Sequence, residues 1–195
     1  MSVINTKLLF IPEKADKQQP LEEHLIKQGY ELTTLLENNT RIVQALASDD
    51  VSIVVLSVYA LNQCHIELMS LIQQTAPKPV IVFADQCDDD WIMKAVNVGA
   101  NSIVVDGIEE HRIKKVIEIA TARFQRCMTL RDELSSTKQK LEERRDVDRA
   151  KGILMKKKKI EEDQAYKMLR KIAMDKNQRI GEVARTLILA AELLD

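Results

Sequence analysis

The sequence predicts an α/β fold whose first part is a doubly wound, parallel, five-stranded sheet and whose second part is a long helix followed by a small three-helix all-α domain. Three features predict it: short apolar runs that alternate with amphipathic segments, a long stretch without glycine or proline, and a basic C-terminal third with helical periodicity. The first feature is typical of a parallel sheet, and the other two are typical of helices.

The strands are predicted from four short apolar runs, Leu8–Ile11, Val51–Leu56, Val80–Phe83 and Ile103–Val105. Continuous apolar runs of this length are typical of strands that are covered on both faces. A further strand is expected near Glu31–Leu35, and the amphipathic segments between the runs are expected to be helices that pack on the sheet. Alternating strands and helices imply right-handed βαβ crossovers, and therefore a parallel, doubly wound sheet.

A long helix is predicted after the sheet. No proline follows Pro79, and the 44 residues between Gly107 and Gly152 contain no glycine, so this stretch should be mostly helical. Within it, spacings of three and four residues alternate, as in a coiled-coil seam: Cys127, Leu130, Leu134, Thr137 and Leu141. The helix either lies alone on its own domain or, as we favour, extends roughly 60 Å and pairs with a second copy.

The last third is predicted to form three short amphipathic helices that close one small core. The first passes through Val147–Leu154 and ends in Lys156–Lys159, whose positive charges suit a helix C-terminus. The second begins at the acidic Glu161–Asp163, and the third follows Asn177, which is expected to cap it.

Charge is distributed unevenly along the 195 residues, although the net charge is only −1. Residues 1–137 carry 13 basic and 19 acidic side chains, which gives −6, whereas residues 138–195 carry 16 basic and 11 acidic side chains, which gives +5. This split predicts a polyanionic partner for the C-terminal part alone.

Several classes of protein are not expected from the composition. The three cysteines are widely spaced without a C-x-x-C pair, and the three histidines lie far apart, so neither a disulfide framework nor a metal site is indicated. No run reaches the roughly 18 apolar residues of a membrane span, and no secretion signal is recognisable. We therefore expect a soluble, cytoplasmic protein that needs no cofactor.

The C-terminal third resembles the ANTAR domain, an RNA-binding module of transcription antitermination. The resemblance rests on four segments in order, Leu141–Arg144, Arg149–Met155, Glu161–Met174 and Asn177–Ala184. The run Ala173–Arg179 is similar to nitrate-assimilation antiterminators of the NasT type. The resemblance implies a regulator that binds hairpin loops in leader mRNA, for nitrate or nitrite assimilation genes.

The first part resembles the receiver domain of two-component signalling, a flavodoxin-like fold, by its strand order and by the segment Ala95–Val105. The resemblance fails where receivers carry their phosphorylation chemistry. Pro12 and Glu13 stand in place of the acidic pair, and Ser57 stands in place of the phosphoacceptor Asp. Ala84 replaces the hydroxyl residue, and Asp106 replaces the Lys. One carboxylate does not supply the oxygen cage that Mg²⁺ prefers, and Ser57 is a degenerate phosphoacceptor position. A pseudo-receiver that is not phosphorylated is expected.

Together the resemblances divide the chain into a pseudo-receiver domain (1–120), a coiled-coil helix (121–143) and an ANTAR domain (144–195). They imply a homodimer through the coiled coil. They also imply control by a ligand-sensing regulatory protein of the nitrate-sensor type, which sequesters the antiterminator.

The expected RNA contacts are basic side chains on two of the C-terminal helices and on the turn after them: Arg149, Lys151, Lys167, Arg170, Lys171, Lys176 and Arg179. Each can neutralise a phosphate, and arginine can also stack on an unpaired base. Lys156–Lys159 is either a further contact or a solvated face. Tyr166 is either a stacking residue or part of the core. Gly152 costs about 1 kcal/mol inside a helix and indicates either a close approach or simple tolerance.

Other functions are less well supported. A DNA-binding response regulator with a helix-turn-helix would place its last helix in the major groove. The expected outer face of that helix carries a net charge of −1, from Glu182, Arg185, Thr186, Leu189 and Glu192. An enzyme is not expected, because no phosphate-binding glycine loop and no nucleophile with a base are recognisable. A protein-binding adaptor remains an alternative, and it would show no salt-dependent affinity for RNA.

Overall fold

A parallel sheet organises the first part of the chain. The computed structural model describes residues 6–13, 19–36, 39–47, 50–107 and 109–192. Its strands are β1 (Lys7–Pro12), β2 (Glu31–Thr34), β3 (Ile53–Ala60), β4 (Val80–Gln86) and β5 (Ala100–Val105). All neighbouring strands are parallel and lie in the order β2-β1-β3-β4-β5. This is the flavodoxin-like order, and the predicted fold class is confirmed.

Helices connect the strands and cover both faces of the sheet: α1 (Gln19–Lys27), α2 (Asn39–Ala47), α3 (Gln63–Thr75) and α4 (Asp89–Asn97). Because side chains alternate between faces along a strand, β3 sends Val54 and Leu56 into one core and Ile53 and Val55 into the other. The first core is closed by α2, α3 and α4, and the second by α1 and the beginning of α5 (Glu110–Lys158).

Helix α5 is longer than the sequence predicts. The prediction of a separate short helix through Val147–Leu154 is wrong, because α5 runs without interruption for 49 residues. Gly152 lies inside it, and the buried Ala150 and Leu154 on either side anchor it in the C-terminal core, which offsets the glycine's cost of about 1 kcal/mol. Although α5 is long, neither it nor any other helix in the described ranges has an apolar stretch sufficient to cross a membrane.

The chain divides into two units, Met1–Met128 and Thr129–Asp195. The second unit packs the end of α5 against α6 (Glu162–Asp175) and α7 (Ile180–Glu192). One core joins the three helices, as predicted: Ala150, Leu154, Ala165, Leu169, Ala173, Val183, Ala184 and Ile188. Acidic residues occupy the first turn of α6 and lysines the last turn of α5, as predicted, and both placements suit the helix dipole.

Asn177 lies in the turn just after α6, where it terminates that helix, and it does not cap α7, so the sequence prediction for this residue is wrong. Its φ of 51° is left-handed. The Asn177 amide donates to the Met174 carbonyl at 3.2 Å, and the Gln178 amide donates to the Ala173 carbonyl at 2.9 Å. In this Schellman arrangement a left-handed residue satisfies the last carbonyls of a helix. At the start of α7, the Arg179 amide instead donates to the carboxylate three residues later, at 3.3 Å.

We expect Gly152→Ala to raise the free energy of unfolding by about 0.5–1 kcal/mol, because alanine is the better helix former and its Cβ would meet nothing within 4 Å. Gly181→Ala is the matched control, since its Cβ would lie 3.0 Å from Glu143 Cγ and 3.3 Å from Glu143 Cβ. Urea unfolding followed by circular dichroism measures both. A Gly152→Ala protein less stable than the parent would contradict the expectation and show that this position needs glycine.

Candidate nucleic-acid interface

The seven basic residues predicted to bind RNA lie in the second unit, on the end of α5, on α6 and on the turn between α6 and α7. Six are exposed, whereas the side chain of Lys151 is only 14% exposed. They fall into two groups, according to whether a carboxylate of the same unit binds them.

Two arginines link α5 to α7 through ion pairs. Arg149 Nη2 lies 2.7 Å from Glu192 Oε1. Arg185 Nε on α7 lies 2.7 Å from Asp146 Oδ2 on α5. Arg149 was predicted as an RNA contact, but in the folded unit its guanidinium already has an anionic partner. These pairs therefore contribute to the packing of the helices.

Two lysines are also bound by carboxylates. Lys151 Nζ lies 2.6 Å from Asp148 Oδ1 and 2.7 Å from Glu162 Oε1, so it joins α5 to the first turn of α6. The hydrogen bond to Asp148 raises the pKa of the Lys151 ammonium most, and the hydrogen bond to Glu162 raises it further. The hydrogen bond between Lys151 and Asp148 also lowers the pKa of the Asp148 carboxyl. Lys167 Nζ lies 2.7 Å from Asp163 Oδ2, one turn earlier on α6. This exposed pair is readily screened by salt.

The remaining four predicted contacts, Arg170, Lys171, Lys176 and Arg179, are here called the open cations. All four are exposed, two on α6 and two on the turn that follows it. Within the described part of the chain, none of their side chains makes a hydrogen bond or an ion pair. They can therefore bind phosphates without first breaking an internal pair.

Lys156–Lys159 is exposed at the end of α5, where Lys159 adopts a left-handed φ of 54°. The positive charges stabilise this helix C-terminus, as the sequence predicts. A contact of this cluster with nucleic acid stays a prediction.

The outer face of α7 offers little positive charge. Glu182, Arg185, Thr186, Leu189 and Glu192 are exposed there, with the net charge of −1 already counted from the sequence. The one arginine on this face is bound to α5. Recognition helices that enter the DNA major groove present open base-reading side chains, and α7 does not.

Two exposed apolar features belong to helices α5 and α6. The seam leucines Leu130, Leu134 and Leu141 are 56%, 56% and 51% exposed, so the described part of the chain does not bury them. Tyr166 is 43% exposed and lies outside the core of the second unit. Of the two alternatives given for it, a stacking residue or part of the core, the second is therefore wrong.

At the carboxyl edge of the sheet, the structure places the residues that stand where receivers carry phosphorylation chemistry. Ser57 is only 4% exposed, and β3 continues three residues beyond it to Ala60, so the residue is inside the strand and does not end it. Ala84 lies in β4, and Asp106 follows β5 with a left-handed φ of 62°. In the described ranges, no three His, Cys, Asp or Glu side chains are grouped to hold a metal ion.

Glu13, the one carboxylate left from the acidic pair, is held by the backbone of β3. Its amide donates to the Ser57 carbonyl at 2.9 Å, and its Oε2 accepts a hydrogen bond from the Tyr59 amide at 2.6 Å. A charged acceptor makes this hydrogen bond stronger than a neutral one. The carboxylate thus ties β1 to the end of β3.

Residues 135–188 match the family model of the ANTAR domain. The second unit contains an ANTAR domain. The match spans the end of α5, all of α6 and most of α7, so the open cations and the ion pairs to Lys151 and Lys167 belong to the ANTAR domain.

Two named regulators are similar to this chain. The transcriptional regulatory protein PdtaR of Mycobacterium tuberculosis is 25% identical over 187 residues, which cover 96% of this chain and 91% of that protein. The nitrate regulatory protein of Klebsiella oxytoca is 38% identical over 88 residues, which cover 45% of this chain but only 22% of that protein. The chain is therefore an ANTAR-type regulator.

Solved structures share the fold of the first unit. A response regulator from Thermotoga maritima superposes with a TM-score of 0.51 at 19% identity, covering 59% of this chain and 99% of that one. The signal receiver domain of an HD domain-containing protein from Pseudomonas fluorescens gives a TM-score of 0.53 at 22% identity, covering 62% and 98%. The ANTAR domain is thus preceded by a receiver-like domain.

Sequence reasoning missed the acidic partners that divide the cations of the ANTAR domain into two groups. The Asp148–Lys151 pair has an i, i+3 spacing that helical periodicity can reveal. The Arg149–Glu192 and Arg185–Asp146 pairs join residues 43 and 39 positions apart, and no local pattern marks them.

Proposed function

We propose that this chain is a cytoplasmic transcription antiterminator whose ANTAR domain binds hairpin loops in leader mRNA. The observation that carries the proposal is the position of the open cations, which cluster on α6 and the turn after it while α7 stays neutral to acidic. A nucleic acid is the polyanion that such a cluster suits. The chain acts by binding, and it is not an enzyme.

Single-stranded loops suit this domain better than a DNA duplex does. Sequence-specific RNA recognition targets loops with unstacked bases, which arginine and aromatic side chains can reach. The alternative, a helix-turn-helix on DNA, needs an open α7 face, and the arginine there is paired with Asp146.

The decisive experiment titrates the protein with a hairpin RNA and with a duplex DNA of equal length at several salt concentrations. We expect tight, loop-sequence-dependent binding to the RNA, with an affinity that falls steeply as salt rises. Equal binding to both, or a preference for DNA, would falsify the proposal. Absence of salt-dependent RNA binding would favour the protein-binding adaptor instead.

The regulatory part of the proposal concerns nitrate or nitrite assimilation genes and a ligand-sensing protein partner. The similarity to a nitrate regulatory protein supports it. The receiver-like domain also supports control by a protein partner, because only Glu13 remains of the acidic pair and the phosphoacceptor position is a buried serine. We propose that a partner of the nitrate-sensor type sequesters the regulator, and that a homodimer forms through the seam.

We expect no covalent phosphorylation of the receiver-like domain by acetyl phosphate and Mg²⁺. A buried serine inside β3 is a poor acceptor, and Glu13, the one carboxylate at the place of the acidic pair, is already hydrogen-bonded. Intact-mass spectrometry measures the outcome, with a receiver that retains its acceptor aspartate as the positive control. Magnesium-dependent addition of a phosphoryl group to any residue of β3 contradicts this expectation.

A further inference from the structure

An exposed row of three large side chains runs along α6. Tyr166, Arg170 and Met174 are spaced four residues apart, and the first and last are 43% and 72% exposed. Side chains at this spacing lie on one side of a helix, with Cβ atoms about 5–6 Å apart. The buried residues of α6, Ala165, Leu169 and Ala173, lie about 100° away around the helix. The row is therefore not needed for the core.

Two open cations lie beside the row: Lys171 follows Arg170 along α6, and Lys176 lies just beyond Met174. Lys167, which follows Tyr166, is already paired with Asp163. A second copy of the same face would bring like charges together, which is unfavourable. The complementary occupant has negative charge and flat apolar surfaces at once, which are the properties of unpaired nucleotides.

We propose that this row is a base-stacking platform for the RNA loop, an inference that rests on the proposed function. One unpaired base inserts between the Tyr166 ring and the Arg170 guanidinium, and a neighbouring base packs against Met174. A base between two planar groups needs them about 6.8 Å apart, twice the stacking distance of about 3.4 Å. The Cβ atoms of Tyr166 and Arg170 are about 5–6 Å apart, so the ring and the guanidinium must splay apart to admit the base. The Arg170 guanidinium is available because no group in the described ranges binds it.

This platform explains selection for loops over stems. Bases in a duplex are already stacked on one another, whereas loop bases can be splayed onto a protein surface. Lys171 and Lys176 bind the phosphates beside the stacked bases. Affinity then depends on charge and on planar side chains separately, which makes the two contributions separable by substitution.

The test uses variants that remove the planar group but keep size or charge. We expect Tyr166→Leu to weaken binding to a hairpin RNA about tenfold, while Tyr166→Phe binds as the parent does. We expect Arg170→Lys to weaken binding by a similar factor without changing the salt dependence, because the charge is retained. A 2-aminopurine base in the loop should lose fluorescence when it stacks on the parent protein, and lose less with Tyr166→Leu. Circular dichroism verifies that each variant is folded.

The outcomes separate this inference from the function that it rests on. If the parent binds the hairpin and both non-planar variants bind it equally well, the platform is wrong while the antiterminator proposal stands. If Tyr166→Leu changes the mass of the protein in solution and not its RNA affinity, the row is a protein contact, which also overturns the platform. If the parent fails to bind any hairpin RNA, both proposals fail together.

Discussion

Replacing Leu130 and Leu134 together by glutamate is expected to convert the protein from a dimer to a monomer. Both leucines are 56% exposed on α5, at a heptad-like spacing that continues to Leu141. Fully burying a leucine contributes about 1.5–3 kcal/mol, so burying only the exposed half of each side chain contributes about 0.8–1.7 kcal/mol. A symmetric dimer buries these two from both chains, so the variant loses about 3–7 kcal/mol, or at least about a hundredfold in dimer affinity.

Light scattering coupled to size exclusion, or sedimentation equilibrium, measures the mass directly. Ser136→Glu with Gln139→Glu is the matched control, because it adds the same charge on the opposite side of α5. The control should stay dimeric. A double-leucine variant that keeps the mass of a dimer, or a parent protein that is itself a monomer, shows that the seam is not the interface.

The second large effect is expected from charge. Arg170→Gln with Arg179→Gln should weaken binding to the hairpin RNA at least about tenfold and lower the slope of log affinity against log salt by about 1.5, because two positive charges beside the RNA backbone disappear. Neither guanidinium has a partner in the described ranges. Their replacement therefore breaks no hydrogen bond or ion pair among the described residues.

Arg149→Gln with Arg185→Gln provides the matched control, since it removes the same formal charge from the same domain. These two arginines are bound to Glu192 and Asp146 at 2.7 Å. We expect this pair of changes to leave the salt slope nearly unchanged and to lower thermal stability instead. Equal loss of RNA affinity in both double variants means that only overall charge matters, and the distinction between open and paired cations is then wrong.

The sequence predicts the core better than the ends of elements. Strand β3 was recognised from Val51–Leu56, but the strand continues to Ala60 through Tyr59, whose amide is bound by Glu13. That contact joins residues 46 positions apart. Patterns of neighbouring residues cannot reveal it. The sequence predicts a separate helix through Val147–Leu154, whereas α5 continues through this segment, because Ala150 and Leu154 pack into the C-terminal core.

In the candidate interface, too, local features can be predicted from the sequence, whereas contacts between distant residues cannot. Composition and family motifs locate the basic surface, and helical periodicity places its residues on the correct elements. What they do not reveal is which cations are already bound, because Arg149 meets its partner only after α5 and α7 pack together. Asn177 was misassigned for a related reason: asparagine suits both ends of a helix, and only the backbone hydrogen bonds distinguish them.

The hydrogen bond between Glu13 and the Tyr59 amide has a consequence for how the regulator responds over time. A phosphorylated receiver stays active for as long as the phosphoryl group remains attached, and its output depends on the enzymes that add and remove that group. With a buried serine at the phosphoacceptor position and Glu13 already hydrogen-bonded, the proposed control uses no phosphoryl group, and sequestration by a partner is governed by mass action. The fraction of active regulator then follows the ratio of partner to regulator, and its recovery time is set by the dissociation rate of the complex.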